Sequence, residues 1–346
     1  MIAISLLTLV PGVVGGSETY ARELLRALAR VGTTSYRILL PPAARDAAVD
    51  LPTVVVQGYG GQRAVAMARA AVSPRYAQLF YGTRVVHYPL TVPIPRTRLA
   101  RVVTLHDVQH LDLPHLFSRA ERAYRAVAYD RAARTADRVL VVSEFVKARA
   151  IERLGLDEGR VAVTPLGVDF RRFKPGRNRR HPILLYPAKP WPHKNHPRLF
   201  EAFAELRREH PSLRLVLTGG GAYDALPEGV EAKGHVPPDE VADLMRRASA
   251  LVFPSLYEGF GLPPLEAMAC GCPVACSDRG ALPEVVGDAA RLFDPEDVSS
   301  IVEAVREVLD DPAPWVARGL ARAPLFDWDE TARRSEAVYL ELSTRS

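Results

Sequence analysis

Short apolar runs alternate with longer amphipathic stretches along almost the whole chain. In the first half, the apolar runs predict β-strands at Ile2–Val10, Tyr36–Leu40, Val54–Val56, Val85–Tyr88, Val102–Leu105, Val139–Val142 and Val161–Thr164. Helical periodicity marks three stretches between them, Ser17–Val31, Ser118–Asp137 and Glu144–Leu154. Strands that alternate with helices in this way predict βα units and parallel sheets.

The alternation stops at Phe170–Pro182 and then starts again. This segment is basic, contains Pro175 and Gly176 and has no periodicity, so it predicts a linker. Further strands are predicted at Ile183–Tyr186, Leu213–Thr218, Val230–Lys233, Leu251–Phe253, Val274–Ala275 and Arg291–Phe293, and helices at Pro197–Glu209, Pro238–Ala248 and Val298–Leu309. We expect a first domain over residues 1–172, a second over residues 173–325 and a C-terminal helix within residues 326–346.

The composition is that of a soluble globular protein, with 48% hydrophobic and 25% charged residues. The apolar start Ile2–Val10 has no basic residues before it and no cleavage site, which favours a strand over a signal peptide. No apolar run has the roughly 18 residues of a membrane-spanning helix. The cysteines all lie within Cys270–Cys276 and suit neither a disulfide framework nor a zinc site. We expect them to be small buried residues in a reducing cytoplasm.

The net charge of +5 is unevenly distributed. Residues 1–172 contain 24 Lys and Arg against 14 Asp and Glu, whereas residues 173–346 contain 21 against 26. The helix predicted from Ser118 begins with a capping box, Ser118 and Glu121, and one of its sides is basic, through Arg119, Arg131, Arg134 and Arg138. An anionic partner and a merely solvated surface both explain this excess. One marginal aromatic, Tyr124, is too little for the base stacking that single-stranded nucleic acid requires.

The segment from Glu258 to Glu266 is the most informative for chemistry. It is a glycine-rich loop followed by a predicted helix with Pro263 or Pro264 at its first position and Gly271 just past its end. We expect Glu266 in the first turn of that helix, so that both carboxylates converge on one polyhydroxyl ligand. A Glu that only complements the helix dipole would explain Glu266 and leave Glu258 unexplained.

Two other strand ends carry candidate ligand-binding residues. Lys194 follows the strand Ile183–Tyr186 and precedes a helix with Asn195 as its predicted cap, which makes an anion site. In the first half, the loop Gly12–Glu18 leads into a helix predicted to be capped by Ser17, and it presents backbone N–H groups beside the helix start. His106 and Asp107 end the strand Val102–Leu105, where an imidazole can hydrogen-bond a ligand hydroxyl and where Asp107 could be structural.

The string Pro254-Ser255-Leu256-Tyr257-Glu258-Gly259-Phe260-Gly261-Leu262-Pro263 resembles the signature of retaining glycosyltransferase family 4. Leu265-Glu266-Ala267-Met268-Ala269, Gly271-Cys272-Pro273-Val274 and Leu282-Pro283-Glu284-Val285 extend the resemblance. It implies a GT-B fold, in which two Rossmann-like doubly wound domains face each other across a cleft. It also implies that the C-terminal helix crosses back to the first domain, although the periodicity would equally allow it to cap the second.

The resemblance assigns roles to individual residues. It implies that Glu258 and His106 contact the donor sugar, that Glu266 binds the ribose and that Lys194 neutralises the diphosphate. Lys189 stands where the family commonly has Arg, so the charge is kept and the bidentate fork is lost. The remaining donor contacts would come from the backbone, at Gly15, Gly16, Gly259, Phe260 and Gly261.

The implied reaction is retaining, metal-independent hexosyl transfer from an NDP-sugar, either GDP-mannose or a UDP-hexose. The acceptor would be a hydroxyl of a glycan, a lipid-linked sugar or a small glycoconjugate, and no cofactor is expected. The Asp-x-Asp string at Asp327-Trp328-Asp329 is expected to be structural rather than a metal site. We expect a cytoplasmic protein without a nucleic-acid partner. The basic first half permits peripheral contact with the inner face of the cell membrane. The oligomeric state stays open.

Three alternatives remain open. A GT-B sugar-nucleotide epimerase would share nucleotide binding but would not need the segment from Glu258 to Glu266. A non-catalytic sugar-binding or nucleotide-binding accessory subunit would be free to lose Lys194 and both glutamates. A nicotinamide oxidoreductase would depend on Gly219-Gly220-Gly221 after a strand, which is a weak signal.

Overall fold

The computed structural model describes residues 1–13, 15–47, 49–57, 74–176 and 179–345. The chain divides into two compact units. Unit 1 contains Met1–Gly167 together with Trp328–Ser346, and unit 2 contains Val168–Asp327. The boundary expected after residue 172 therefore lies inside unit 2. Val14 of the loop Gly12–Glu18 and residues 177–178 of the expected linker lie outside the described residues.

Unit 1 is built on a parallel sheet of seven strands among its described residues, in the order β3-β2-β1-β4-β5-β6-β7. The strands are β1 (Ile2–Ser5), β2 (Tyr36–Leu40), β3 (Thr53–Val55), β4 (Val85–Tyr88), β5 (Ala100–Leu105), β6 (Arg138–Val141) and β7 (Val161–Val163). In the central strand β1, Ile4 lies opposite Ile38 of β2 and His87 of β4. Central strands of a parallel sheet are covered on both faces, which explains why they read as continuous apolar runs.

The helices of unit 1 connect these strands and cover the sheet. Within the described residues they are α1 (Gly16–Val31), α2 (Gln109–Asp112), α3 (Arg119–Arg125), α4 (Arg131–Thr135), α5 (Glu144–Leu154) and the terminal α12 (Trp328–Arg345), which packs against α1. The helical stretch expected over Ser118–Asp137 is confirmed from Arg119 to Thr135, and a π-helical turn at Ala126–Asp130 joins α3 to α4. The predicted capping box is confirmed: Glu121 N donates to Ser118 Oγ at 3.2 Å, and Ser118 N donates to Glu121 Oε2 at 2.8 Å.

A buried polar cluster attaches α12 to unit 1. The carboxylate of Glu336 accepts hydrogen bonds from Thr33 N at 2.7 Å, Thr34 N at 3.0 Å and the Tyr36 hydroxyl at 2.5 Å. The Tyr339 hydroxyl lies 2.7 Å from Nδ1 of the fully buried His87. Burial lowers the pKa of His87 to about 3, so the ring is neutral at physiological pH.

Unit 2 has a parallel sheet of six strands among its described residues, in the order β10-β9-β8-β11-β12-β13. The strands are β8 (His181–Pro187), β9 (Arg214–Thr218), β10 (Val230–Ala232), β11 (Ala248–Phe253), β12 (Val274–Ser277) and β13 (Arg291–Phe293). The helices are α6 (His196–Glu209), α7 (Pro238–Arg247), α8 (Leu262–Ala269), α9 (Leu282–Val286), α10 (Val298–Asp310) and α11 (Pro312–Arg322). Because β8 starts at His181, the expected linker ends earlier than Pro182.

The connections of unit 2 change direction at the middle of its sheet. The chain runs from β8 through α6 to β9 toward one edge, and from β11 through α8 to β12 toward the other edge. Right-handed crossovers in opposite directions place α6 and α8 on opposite faces of the sheet. The carboxyl ends of the neighbouring strands β8 and β11 therefore form the switch point at which doubly wound sheets bind ligands.

The expectation of small buried cysteines is confirmed, since Cys270, Cys272 and Cys276 are buried free thiols. Burial raises the pKa of Cys272 to about 11, so this thiol is not a ready nucleophile. No helix in the described ranges combines the length and the apolar character needed to cross a bilayer.

Candidate active site at the strand ends

Lys194 and Glu258 form an ion pair at the switch point of unit 2. The Lys194 Nζ donates to Glu258 Oε1 at 2.5 Å, and the two side chains are only 13% and 14% exposed. The same Nζ lies 5.3 Å from the ring centroid of Phe253, the last residue of β11. The structure thus brings together two residues that are separated by 64 positions in the sequence.

The backbone around Lys194 is fixed by hydrogen bonds to other loops. The Tyr186 hydroxyl donates to the Lys194 carbonyl at 2.6 Å. Asn195 has a left-handed backbone with φ 58°, and its Nδ2 donates to the carbonyls of Pro254 at 3.1 Å and Pro295 at 2.7 Å. Asn195 is the N-cap residue of α6, as predicted, but its side chain makes no capping hydrogen bond, and its Oδ1 accepts from Arg198 Nη1 at 3.2 Å instead.

The loop that carries Glu258 is held by the segment after β12. Ala281 N donates to the Glu258 carbonyl at 3.0 Å. Gly280 has φ +66°, and a Cβ there would lie 2.6 Å from the Glu258 carbonyl oxygen and 2.8 Å from its nitrogen. The loop is also joined to the Lys194 loop, since Leu256 N donates to the His193 carbonyl at 2.8 Å. Position 280 therefore needs glycine both for its conformation and for the close approach.

The glycine-rich part of this loop presents backbone rather than side chains. Gly261 has φ +107°, and a Cβ there would lie 2.6 Å from Leu282 Cδ2. The Phe260 side chain is buried and packs edge-on against Phe326, with ring centroids 5.8 Å apart. The buried Phe260 side chain leaves the backbone of Gly259, Phe260 and Gly261 as the candidate ligand-binding part of this segment.

Glu266 lies on α8, the helix that follows this loop. The expectation that it falls in the first turn is wrong: α8 begins at Leu262, one residue before Pro263, so Glu266 is the fifth residue. The helix ends at Ala269, and Gly271 follows with φ +69°, as predicted for a glycine just past the helix end. Glu266 and Glu258 are therefore on consecutive segments of unit 2.

Lys189 lies in the same β8–α6 loop as Lys194. Its Nζ is 5.5 Å from the ring centroid of Trp191. The loop after β9 approaches closely, because a Cβ on Gly219 would lie 3.1 Å from Lys189 N and 2.9 Å from the carbonyl carbon of Ala188. The second cation of the predicted diphosphate site therefore adjoins the glycines Gly219-Gly220-Gly221.

In unit 1 the candidate residues gather at the ends of β1, β4 and β5. The His106 Nε2 lies 2.8 Å from the carbonyl of Pro89, just after β4, so Nε2 carries the proton and Nδ1 is the acceptor. Burial lowers the pKa of His106, which keeps the ring neutral. Tyr20 of α1 contacts the His106 ring edge-on, with centroids 5.0 Å apart.

The glycine loop of unit 1 is at the start of α1. Gly15 is the N-cap residue with φ 61°, and Gly16 is the first helical residue, with no heavy atom within 4 Å of an added Cβ. The helix therefore starts before Ser17, and the prediction that Ser17 caps it is wrong. The Glu18 Oε2 accepts a hydrogen bond from Gly12 N at 2.7 Å, which closes the loop.

Asp107 has structural partners, as the sequence allowed. Its Oδ1 accepts a hydrogen bond from Gln109 N at 3.0 Å and lies 3.5 Å from the guanidinium of Arg125. Asp329 of the Asp-x-Asp string is engaged by Arg30, whose Nε donates to it at 3.1 Å. Sequence reasoning missed Gly280 and Ala281 as supports of Glu258. Their signal was a glycine in the short loop after a buried strand.

Comparison with known proteins identifies the family to which the chain belongs. Residues 168–321 match the family described as glycosyl transferases group 1, and residues 14–172 match glycosyltransferase family 4. Over 273 residues the chain is 32% identical to O-antigen chain mannosyltransferase B of Escherichia coli, covering 70% of this chain and 71% of that protein.

The chain belongs to glycosyltransferase family 4. Its fold is likewise confirmed as the GT-B type, with two Rossmann-like domains. Sucrose-phosphate synthase from Thermosynechococcus elongatus superimposes with a TM-score of 0.79 at 22% identity, covering 100% of this chain and 99% of that one. Anabaena HepE in complex with UDP-glucose superimposes with a TM-score of 0.73 at 17% identity, covering 98% and 99%.

Proposed function

We propose that this family 4 glycosyltransferase transfers a hexose from a nucleoside diphosphate sugar to a hydroxyl acceptor with retention and without a metal ion. GDP-mannose and UDP-hexoses are the candidate donors. The E. coli relative is named a mannosyltransferase, and the Anabaena structure contains UDP-glucose. The acceptor class is a glycan, a lipid-linked sugar or a small glycoconjugate.

The Lys194–Glu258 pair at the switch point is the observation that carries this proposal. An ammonium and a carboxylate held 2.5 Å apart at the ends of adjacent strands present one group for anionic oxygens and one for sugar hydroxyls. A diphosphate competes with Glu258 for the ammonium, which frees the carboxylate oxygens for the sugar. Because both side chains are mostly buried, their interactions with a ligand are screened less than they would be at the surface.

The chemistry requires stabilisation of the leaving group. The bond between the anomeric carbon and the diphosphate oxygen breaks, and the acceptor oxygen bonds to the same carbon from the same face. The acceptor proton passes to an oxygen of the departing diphosphate. Lys194, assisted by Lys189, neutralises the charge that develops there, and removal of one such contact typically costs about 3 kcal/mol of transition-state stabilisation.

The other residues bind and orient the donor. Glu258 accepts hydrogen bonds from sugar hydroxyls, and Glu266 accepts them from the ribose. Backbone N–H groups of the glycine-rich loop and of the loop at Gly15 and Gly16 contact the sugar and the phosphates. The neutral His106 accepts a hydrogen bond from a sugar hydroxyl at Nδ1, because its Nε2 proton is held by the Pro89 carbonyl at 2.8 Å.

A panel of donors tests the proposal. Purified protein is incubated with GDP-mannose, UDP-glucose and UDP-galactose, with and without simple glycoside acceptors, and release of nucleoside diphosphate is measured. Turnover of one donor that persists in EDTA, with a product of the same anomeric configuration by proton NMR, supports the proposal. Epimerised donor without transfer would establish the epimerase alternative. Absence of nucleotide release with every donor and acceptor would favour the accessory-subunit alternative.

Peripheral membrane contact is a second part of the proposal. Tyr124 is 47% exposed on α3 and Val127 is 69% exposed on the π-helical turn, close in sequence to the basic residues Arg119, Arg122 and Arg131. Apolar side chains among basic ones suit an anionic lipid surface. Pelleting with anionic but not neutral liposomes at low salt is expected. If equal amounts of protein pelleted with both kinds of liposome, the proposed membrane contact would be contradicted and the proposed reaction would be unaffected.

A further inference from the structure

A cavity on unit 2 is separate from the Lys194–Glu258 site. It is an open groove with a volume of about 840 Å³, lined by the β8–α6 loop, the first turns of α6, the loop that follows β9 and Leu256 of the loop that carries Glu258. Its aromatic lining residues are Trp191, His196, Phe200 and Tyr223. Cavities of this size with aromatic walls and a few polar groups are typical of small-molecule sites.

The position of α6 sets this cavity apart from the predicted nucleotide contacts. α6 lies on the face of the sheet opposite to α8, which carries Glu266, because the two crossovers run in opposite directions. Lys194 and Glu258 are not among the residues that line the cavity. The cavity does include Trp191, so an occupant would contact the loop that carries Lys194.

The aromatic rings form a concave wall rather than a slot. The Tyr223 ring lies 5.6 Å from His196 with an interplanar angle of 53°, and 6.3 Å from Phe200 with an angle of 57°. Because these rings are tilted, they do not form the parallel walls that would sandwich a planar base. The C–H face of a pyranose ring fits such a concave wall.

The polar groups at the cavity favour a neutral ligand with hydroxyl groups. The carboxylates of Glu201 and Asp224 are exposed, and neither has a hydrogen bond or ion pair within the described ranges. Arg198 is partly engaged, since its Nη1 donates to Asn195 Oδ1 at 3.2 Å. Burial lowers the pKa of His196 to about 4, so this ring adds no charge at neutral pH. The lining therefore has two carboxylates against one guanidinium, and the Lys189 ammonium lies 5.5 Å from the Trp191 ring centroid, so the charges nearly balance and the carboxylates can accept hydrogen bonds from hydroxyls.

We propose that this cavity binds a pyranose ring of a neutral glycan at a site distinct from the donor site. The ring lies against Tyr223 and Phe200, and its hydroxyls donate to Glu201 and Asp224. A glycan chain bound there would be held beside the loop that carries Lys189 and Lys194. This binding site goes beyond the proposed transfer reaction, because its own residues bind the pyranose ring whether or not a sugar nucleotide is present.

Saccharide titrations of the full-length protein test the site. Methyl hexosides and short neutral oligosaccharides are titrated by saturation-transfer NMR and calorimetry, with and without saturating UDP or GDP. We expect binding that the nucleotide does not displace and that Lys194→Ala leaves unchanged. Tyr223→Ala should weaken it about tenfold, through loss of the ring contact.

A matched pair of variants separates a structural effect from a binding effect. Glu201→Gln removes a cavity carboxylate and should weaken saccharide binding about threefold to tenfold. Glu205→Gln makes the same change on an exposed part of α6 outside the cavity and should leave binding at the wild-type level. Both positions are on the surface, so both variants should fold even if Tyr223→Ala does not.

Three results would contradict the proposed saccharide-binding site. They are no saccharide binding by the wild type, displacement of the saccharide by UDP or GDP, and wild-type affinity in Glu201→Gln. None of these depends on turnover. A protein that binds saccharides here and releases no nucleotide would contradict the proposed transfer alone, and a protein that transfers without binding saccharides here would contradict this site alone.

Discussion

The two units bury charged and polar side chains in different ways. In unit 2, Lys194 and Glu258 satisfy each other at the open ends of two strands, where a ligand can replace either partner. In unit 1, the Glu336 carboxylate is 5% exposed and accepts hydrogen bonds from two backbone N–H groups and a tyrosine hydroxyl. The first arrangement leaves charge that a substrate can use, and the second holds a helix in place. On the proposed function, the nature of the partners therefore distinguishes a reactive site from a structural one.

Removal of the ammonium group should give the largest effect on activity. We expect Lys194→Ala to lower kcat at least about a hundredfold, because about 3 kcal/mol of leaving-group stabilisation is lost. Circular dichroism should show an unchanged fold. Steady-state release of nucleoside diphosphate is the measurement.

Lys147→Ala is the matched control for this variant. Lys147 forms an ion pair with Glu158 at 2.9 Å on the surface of unit 1, and its loss should leave kcat unchanged. A Lys194→Ala enzyme with wild-type kcat would show that unit 2 uses this pair only for structure, as unit 1 uses Glu336.

A methyl group at position 280 should disturb the backbone that presents Glu258. Gly280→Ala places its Cβ 2.6 Å from the Glu258 carbonyl oxygen in a left-handed conformation. We expect a loss of roughly 3 kcal/mol in stability and at least about a tenfold loss of kcat/KM. Gly155→Ala has a similar φ of +63° and no atom within 4 Å of the Cβ, so it should cost only about 1 kcal/mol and leave activity unchanged. Equal effects of the two variants in urea unfolding would argue against the contact with Glu258.

Neutralisation of the buried carboxylate should affect stability and not catalysis. Glu336→Gln weakens the hydrogen bonds from Thr33, Thr34 and Tyr36, and we expect a loss of about 2 kcal/mol in the free energy of unfolding. Glu330→Gln, which removes a surface pair with Arg334 on the same helix, should change stability far less. Chemical denaturation checks both. A Glu336→Gln enzyme with normal stability and impaired kcat would reverse the distinction between the two units.

The buried imidazoles should make stability depend on pH. The pKa is lowered by burial to about 3 for His87 in unit 1 and to about 4 for His196 in unit 2, from an ordinary value of 6.5. Below pH 6.5 the unfolded chain binds protons that the folded chain does not, so stability falls as the pH falls. Each ring contributes up to about 1.4 kcal/mol per pH unit in this window. The free energy of unfolding, measured between about pH 7 and pH 5, should depend less steeply on pH in His87→Gln than in the wild type. An equal pH dependence of the two proteins would contradict a neutral His87 ring.

Local pattern predicted the sheets well, because a buried parallel strand needs a continuous apolar run. Each predicted strand overlaps an observed one, and Glu144–Leu154 has the observed helix bounds. The details that failed are decided by distant contacts. Asn195 is the N-cap residue of α6, but its side chain makes no capping hydrogen bond, and its Nδ2 donates to the distant carbonyls of Pro254 and Pro295.

The support of Glu258 could not be predicted for a similar reason. Gly280 is visible in the sequence as a glycine after a strand. Its contact with Glu258, in the loop after β11, depends on how β11 and β12 align. The π-helical turn at Ala126–Asp130 likewise has no signal in the helical periodicity. By contrast, the pairing of Lys194 with Glu258 follows once both are placed at neighbouring strand ends.

Calorimetric titration of UDP, GDP and their nucleosides into the wild type and Lys194→Ala tests the central claim most directly. If Lys194 binds the diphosphate of the donor, one of the two diphosphates should bind the wild type and should bind Lys194→Ala at least about tenfold more weakly. The matching nucleoside should bind both proteins equally. A diphosphate that binds both proteins with the same affinity, or no nucleotide binding at all, would contradict the account.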